Sequence, residues 1–427
     1  MNSLSSKTLR LSGEINLAGD KSLSHRAALF AALAPGKNII RGFLVSGVTR
    51  AMLNCLEKLG VPFTLDGDTL IVAGGHLTPP IEPLYCGNSA TTIRMLAGAM
   101  AYAGIPCTLD GSDGLRKRPM NRICEPLRQM GVQIAGDTAP LVLEKRTSPL
   151  LASRIVLPVA SAQVKSCLIL AALAAGGDTV ILEPGPSRDH TERMLASMGA
   201  NIRCSGNTVV VSPLNRPLSP LDLTLPGDIS SAAFLIVAAL ITSDSDILIR
   251  RVGLNPTRTG ILDALRQMGG RITIENEADA AGEPIGDIRV KSSALKAVSI
   301  SGDLVVRMID EFPVFAVAAA CAEGTTFVHE AQELRFKETD RIEVLCRNLT
   351  AVGIPNESYP DGFAVTGAPF SGGKVRAAGD HRFAMAFAVA GLASAKPIVV
   401  EGAEIADESF PGFIPLLNTL GAQIKGE

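Results

Sequence analysis

The chain contains no tryptophan, and aromatic residues fill only 4% of its 427 positions. Neither charge sign is in excess, since 40 Lys and Arg stand against 42 Asp and Glu. A general nucleic-acid binder needs a basic face and stacking rings, so that class is excluded. No apolar run reaches the roughly 18 residues that span a bilayer. The longest, 234–241 and 314–322, suit core helices, and no membrane span is expected. Residues 1–13 lack an apolar stretch of signal-peptide type, so no secretory signal is expected. The eight cysteines (55, 86, 107, 124, 167, 204, 321 and 346) form no Cys-x-x-Cys pair, and the five histidines are dispersed. The expectation is free core thiols in a reduced cytoplasm, with no protein-built metal site.

Apolar residues are abundant at 47%, with 19% charged. That composition forms cores and excludes a disordered or collagen-like chain, and the length suits two or three domains. The strongest organising signal is self-similarity. Six times an amphipathic helical stretch ends in an apolar residue plus glycine and runs into a β-patterned segment. The glycines are Gly60, Gly131, Gly199, Gly269, Gly353 and Gly421, spaced about 70 residues apart except for one wider gap. That gap holds an acidic insert near Glu275 to Gly286, which reads as a long hairpin loop.

In step with these glycines, six Ala-rich helices are expected at 27–33, 93–102, 167–175, 232–240, 314–322 and 384–392. Each leads into a β-branched strand. One unit is therefore strand, Ala-rich helix, strand, second helix and two more strands. The sixth unit is cut short after Gly421, and 7–17 has strand character without a unit of its own. It is expected to complete the sixth unit. Three units then form each domain, one continuous over 15–227 and one joining 1–14 to 228–427, with a hinge at crossings near 18–20 and 226–228. A one-dimensional solenoid is the alternative, less suited to units that each bury their own helix.

Each Ala-rich helix is preceded by a polar cluster. These begin at Asp20-Lys21-Ser22, Asn88-Ser89-Ala90, Ser161-Ala162-Gln163, Asp228-Ile229-Ser230, Asp310-Glu311 and Asp380-His381-Arg382. Ser, Asn and Asp there are ordinary caps. Capping does not account for Lys21, Arg26, Arg94, Lys165 and Arg382, because a cation near a helix N-terminus opposes the macrodipole. Repeated use of that placement points to an anion between them, with free N–H groups adding to its hold. Converging helices would aim these ends into the gap between domains, giving a cleft for a multiply anionic small molecule. Two basic runs, Arg116-Lys117-Arg118 and Arg335 to Arg341, occupy equivalent places in the second and fifth units. Asp310 and Glu338 are the acid–base candidates. No P-loop, Gly-x-Ser-x-Gly or His-Glu-x-x-His is present.

The segments Gly19 to Arg26, Gly87-Asn88-Ser89, Leu115 to Met120, Ser161 to Ser166, Ser187 to Glu192, Lys337 to Arg341 and Asp380-His381-Arg382 resemble, in order, the 3-phosphoshikimate 1-carboxyvinyltransferases (EPSP synthases) of the enolpyruvyl transferase family. The resemblance implies a two-domain inside-out α/β barrel of six βαβαββ repeats, three per domain. It implies transfer of the enolpyruvyl group of phosphoenolpyruvate to the 5-hydroxyl of shikimate 3-phosphate, releasing phosphate, with no cofactor. Asp310, Glu338 and Lys21 take the proton-transfer roles. Lys21, Ser22, Arg26, Ser161, Ala162, Gln163, Ser187, Asp310 and Lys337 match shikimate 3-phosphate contacts. Lys21, Asn88, Ala90, Arg118, Gln163, Arg341 and Arg382 match phosphoenolpyruvate contacts. A cytoplasmic monomer that closes on its substrates is expected.

Some residues depart from the family pattern. Ser46 to Arg50 lacks the usual acidic pair before Thr49-Arg50, and Glu408 sits where some members carry a clamp lysine. A UDP-N-acetylglucosamine carboxyvinyltransferase would carry Lys-Asn after the first strand and a Cys in 111–118, and neither occurs. A non-catalytic homologue is the other alternative, against which the retained Lys21, Asp310, Glu338 and clamp arginines argue. Ala90 stands where many members have Gly, and its methyl narrows the phosphoenolpyruvate side. Binding of glyphosate, a longer molecule than phosphoenolpyruvate, is therefore expected to be weak. Ala90→Gly should raise sensitivity in an inhibition assay, and low-micromolar inhibition of the unaltered protein would refute this reading.

Overall fold

The computed structural model describes residues 2–3, 10–280 and 282–425. The chain divides into two compact units. The N-unit comprises Gly19–Leu225 with Asp279–Glu283, and the C-unit comprises Met1–Ala18, Pro226–Ala278 and Pro284–Glu427. Each unit has its own apolar core.

Among the described residues, six four-stranded sheets, three in each unit, repeat one topology. In the second repeat, Leu84–Tyr85 runs parallel to Cys107–Asp110, with Leu84 opposite Leu109. Cys107–Asp110 runs antiparallel to Leu141–Leu143, which pairs in turn with Ile134–Ala135. A parallel pair needs a crossover, and the buried helix supplies it. The six repeat glycines all adopt left-handed backbone, with φ from 77° at Gly60 to 109° at Gly421. They turn each second helix into its strand pair at low steric cost.

Two details differ from the sequence expectation. The N-terminal strand forms as Ser12–Asn16, but it pairs in parallel with Asp246–Gly253 in the fourth sheet. The sixth sheet is completed instead by Asn2–Ser3, which lies between Ile398–Glu401 and Ile424–Lys425. Residues 7–9 lie outside the described part. The reason is topological. Asp222–Thr224 precedes the fourth buried helix yet pairs with Gly36–Arg41 of the first repeat. The fourth sheet therefore takes its parallel first strand from the N-terminal segment. Secondly, the acidic insert is mostly strand. Arg271–Ala280 and Glu283–Lys291 are long sheet neighbours, because apolar Ile272, Ile288 and Val290 give them a buried face.

The six buried helices are α1 (Lys21–Leu33), α2 (Ala90–Ala103) and α3 (Ala162–Ala172) in the N-unit, and α4 (Ile229–Ile241), α5 (Phe312–Ala320) and α6 (His381–Ala390) in the C-unit. Each starts earlier than the apolar pattern indicates, so the polar clusters belong to the caps and first turns. Small residues let the helices approach closely. Ala27, Ala28, Ala31 and Ala32 of α1 are fully buried. At Gly98 of α2, a Cβ would stand 2.2 Å from the carbonyl oxygen of Cys167 in α3. Seven of the eight cysteines are buried or half-buried, and burial raises the Cys107 thiol to about 12, so such thiols are poor nucleophiles.

Two stability outcomes follow. Gly98→Ala drives a methyl into the α3 backbone, and chemical denaturation should show a loss of about 2 kcal/mol from overpacking, despite the better helix propensity of Ala. An unchanged midpoint would contradict the close approach. His25 is 2% exposed, with Nδ1 2.8 Å from the Lys21 carbonyl oxygen, and burial pulls its pKa down to about 4. An unfolded imidazole titrates near 6.5, so the stability held by neutral His25 is complete above that pH and is lost as pH falls through 4. The shift corresponds to about 3 kcal/mol. The stability difference between wild type and His25→Gln should therefore narrow between pH 7 and pH 4.5, and a constant difference would contradict it.

Candidate active site

In the N-unit the sequence-predicted residues cluster at the starts of three helices. Asp20 caps α1, its Oδ1 accepting from the Leu23 N–H at 2.8 Å. Lys21 and Ser22 follow, both half-buried. Arg26, one turn on, is 3% exposed and held from three sides. Its Nε donates to Thr191 Oγ1 at 2.7 Å, one terminal nitrogen to Ser166 Oγ at 2.8 Å and the other to the Ser22 carbonyl at 3.0 Å. Ser89 caps α2 by accepting from the Thr92 N–H at 3.1 Å, which places buried Ala90 at the first helical position. Exposed Asn88 accepts from Ser112 Oγ at 3.1 Å.

The start of α3 is different. Ser161 occupies the cap position, but its hydroxyl makes no capping bond. The first-turn N–H groups that a cap would satisfy are therefore left to other partners, an arrangement suited to an anion. Gln163, half-buried in that turn, is fixed by α2. Its Oε1 accepts from Arg94 at 2.6 Å, and its Nε2 donates to Thr91 Oγ1 at 2.9 Å. The amide thus keeps one further N–H for a ligand. Arg118 is half-buried after the short helix Asp113–Arg116, its backbone N–H donating to the Leu115 carbonyl. Within the same basic run, Arg116 is committed to a two-point pair with Asp110 at 2.9 and 2.6 Å.

Lys165 has a different role from the one its position suggests. It is 2% exposed, and its ammonium lies 2.6 Å from Glu183 and 2.8 Å from Glu192, both buried. It is the counter-ion of two core carboxylates. Burial raises the Glu192 carboxyl, with Lys165 opposing the shift. Ser187 donates its hydroxyl to Glu183. Sequence reasoning missed Glu183 and Glu192 as partners, because nothing near Lys165 in the chain announces them.

In the C-unit the predicted residues meet around one guanidinium. Arg341 opens the helix Arg341–Ala351 and is 2% exposed. Its Nε donates to Asp380 at 2.7 Å, one terminal nitrogen to Glu338 at 2.7 Å and the other to Asp310 at 3.3 Å. Burial opposes its charge, but Asp380, Glu338 and Asp310 outweigh that and raise its pKa. Asp380 also caps α6, accepting from the Arg382 N–H at 3.0 Å. The Arg382 side chain comes within 3.6 Å of Asp310, and Lys337 within 4.0 Å. Asp310 thus faces three cations, and two acid–base candidates share one rigid fork. In the fifth-repeat basic run Arg335 is held by Asp340 at 2.6 Å, as Arg116 is by Asp110.

A further arginine escaped the sequence reading. Arg258 is buried at 2%, 3.2 Å from Asp228 and 2.8 Å from Ser230 Oγ, and Ser230 donates to Glu311. The preceding Asn255-Pro256 turn, where Asn255 Oδ1 accepts from the Thr257 N–H at 2.9 Å, was its sequence signal. Glu408 is exposed, at the end of the 3₁₀ helix Ala403–Glu408. Among the described residues no group of three His, Cys, Asp or Glu side chains is placed to hold a metal ion, and no helix is long and apolar enough to cross a membrane.

Known proteins share this organisation. Residues 6–417 match the family EPSP synthase (3-phosphoshikimate 1-carboxyvinyltransferase). The 3-phosphoshikimate 1-carboxyvinyltransferase of Geobacter metallireducens is 47% identical over 96% of this chain and 97% of its own. That of Syntrophomonas wolfei is 45% identical over 98% of this chain and 100% of its own. A solved EPSP synthase from Acinetobacter baumannii superposes with a TM-score of 0.88 at 41% identity, covering 97% of each chain. The enolpyruvyl transferase NikO from Streptomyces tendae, at 21% identity and a TM-score of 0.79 over 97% of this chain and 96% of its own, shares the fold. That fold is the two-domain inside-out α/β architecture built here from six βαβαββ repeats. With helix-start clusters in the family's order and likeness over nearly its whole length, the chain belongs to the EPSP synthase family.

Proposed function

We propose that the protein transfers the enolpyruvyl group of phosphoenolpyruvate to the 5-hydroxyl of shikimate 3-phosphate, giving 5-enolpyruvylshikimate 3-phosphate and inorganic phosphate. The observation that carries the reading is the Arg341 fork, which holds Asp310 and Glu338 together while Lys337 and Arg382 flank Asp310. Addition followed by elimination requires such groups. As the 5-hydroxyl oxygen bonds to C2 of phosphoenolpyruvate, Asp310 takes the hydroxyl proton and an acid protonates the methylene carbon to a methyl group. In the second step a methyl proton leaves, the double bond re-forms and the C2–phosphate bond breaks. Lys21 and Glu338 are the groups proposed for the carbon-side transfers, which require a fixed donor and acceptor.

On this reading Lys21, Ser22, Arg26, Ser161, Ala162, Gln163 and Ser187, with Asp310 and Lys337, receive shikimate 3-phosphate. Lys21, Asn88, Ala90, Arg118, Gln163, Arg341 and Arg382 receive phosphoenolpyruvate. The uncapped first turn of α3 and the fixed Gln163 amide support the first assignment. The three carboxylates on Arg341 give the second a condition: the substrate carboxylate must share or displace one of them. A cytoplasmic monomer is part of the same reading.

Purified protein supplied with both substrates should release phosphate. Asp310→Asn should lower kcat by about 10²–10⁴-fold with little change in thermal midpoint, as expected for loss of a positioned base. Turnover only with UDP-N-acetylglucosamine as acceptor, no turnover, or an unimpaired Asp310→Asn enzyme would each contradict the proposal.

A further inference from the structure

Ser187 lies at the phosphate side in the reading above, but its hydroxyl hydrogen is already directed to a buried carboxylate. Ser187 Oγ donates to Glu183 Oε2, while Lys165 donates to Glu183 Oε1 at 2.6 Å. The same ammonium lies 3.4 Å from the Ser187 carbonyl oxygen and 2.8 Å from Glu192. Lys165, Glu183, Glu192 and Ser187 are each less than a tenth exposed. A phosphate oxygen only accepts, and a hydroxyl has one hydrogen to give. With that hydrogen on Glu183, the Ser187 side chain has none for a phosphate.

The network links three elements that carry proposed contacts. Lys165 stands one turn into α3, its N–H donating to the carbonyl of Ser161 at 2.9 Å. Glu183 follows the strand Thr179–Leu182, and Glu192 lies in the first turn of the helix His190–Ser197. Arg26 of α1 reaches the neighbouring residues Ser166 and Thr191, whose hydroxyls lie 2.7 Å apart. Two cations and two carboxylates thus tie α1, α3 and the 183–192 segment into one buried, charge-balanced block. Ionic groups at this depth hold their places only while their partners remain.

We propose that Glu183 is a positioning residue for the shikimate 3-phosphate half-site: bridging Lys165 and Ser187, it sets the 183–187 segment against the first turn of α3. Ser187 then acts through Glu183, by fixing the backbone beside the phosphate, and not as a phosphate donor. The inference rests on the substrate reading above.

The test is a double-mutant cycle of Glu183→Gln and Ser187→Ala, read by calorimetric binding of shikimate 3-phosphate alone and by steady-state kinetics. Glu183→Gln keeps the side-chain shape but has one acceptor oxygen in place of two. Ser187→Ala leaves the Lys165–Glu183 pair intact, so the second variant remains informative if the first folds poorly. Each should weaken shikimate 3-phosphate binding by about tenfold, and the double variant should be no weaker than the worse single, since both break one linkage. The KM for shikimate 3-phosphate should rise while kcat and the KM for phosphoenolpyruvate stay within about twofold. Additive losses, or a lowered thermal midpoint with unchanged binding, would overturn the assignment. Wild-type protein that binds no shikimate 3-phosphate would overturn the substrate reading and this inference with it. That result is distinct from normal wild-type binding left intact by both variants.

Discussion

The structure depends on how closely the three buried helices of each unit approach one another. Alanine and glycine on their faces bring backbones to distances that larger side chains would forbid, as at Gly98 against Cys167. The consequence lies at the helix starts. Residues in the first two turns of different helices can touch, so Arg94 of α2 reaches Gln163 of α3, Arg26 of α1 reaches Ser166 of α3, and Arg382 of α6 approaches Asp310 beside α5. Polar residues far apart in the chain thereby become neighbours with fixed geometry. The repeated strand–helix–strand frame supplies the helix starts, and local substitutions there then specialise each place.

The two units use the same frame for different electrostatics. The C-unit gathers three carboxylates onto a single guanidinium, which fixes Asp310 and Glu338 relative to one another. The N-unit places cations, hydroxyls and an uncapped helix start together, a combination suited to oxygen-rich anions. Buried ions are costly unless paired, and both units meet that cost by matching charges locally: Lys165 with Glu183 and Glu192, Arg258 with Asp228, and Arg341 with Asp310, Glu338 and Asp380.

Much of this was legible in the sequence. The repeat glycines marked every second helix end because only a left-handed backbone turns the chain there, and the Ala-rich runs marked the buried helices. The helix starts were less legible, because the periodic apolar signal begins after the polar turn that opens each helix. Strand exchange at the crossings was invisible, since Ser12–Asn16 and Asp222–Thr224 give no local hint of which sheet each will join. Asp310, Glu338, Arg341 and Arg382, which the structure brings together, had been singled out by type and place. The fate of Lys165 was not, because its partners are set by tertiary packing. Position at a helix start nominates a cation for anion binding; a buried carboxylate reached from another strand decides otherwise.

The proposed reaction needs the helix starts of the N-unit to receive the phosphate of shikimate 3-phosphate. The most direct measurement is a crystal structure of the protein grown with shikimate 3-phosphate. The expected result is a ligand whose phosphate lies against the first turn of α3, contacted by Ser161 and Gln163. A ligand bound elsewhere, with Ser161 and Gln163 turned to other partners, would contradict that placement.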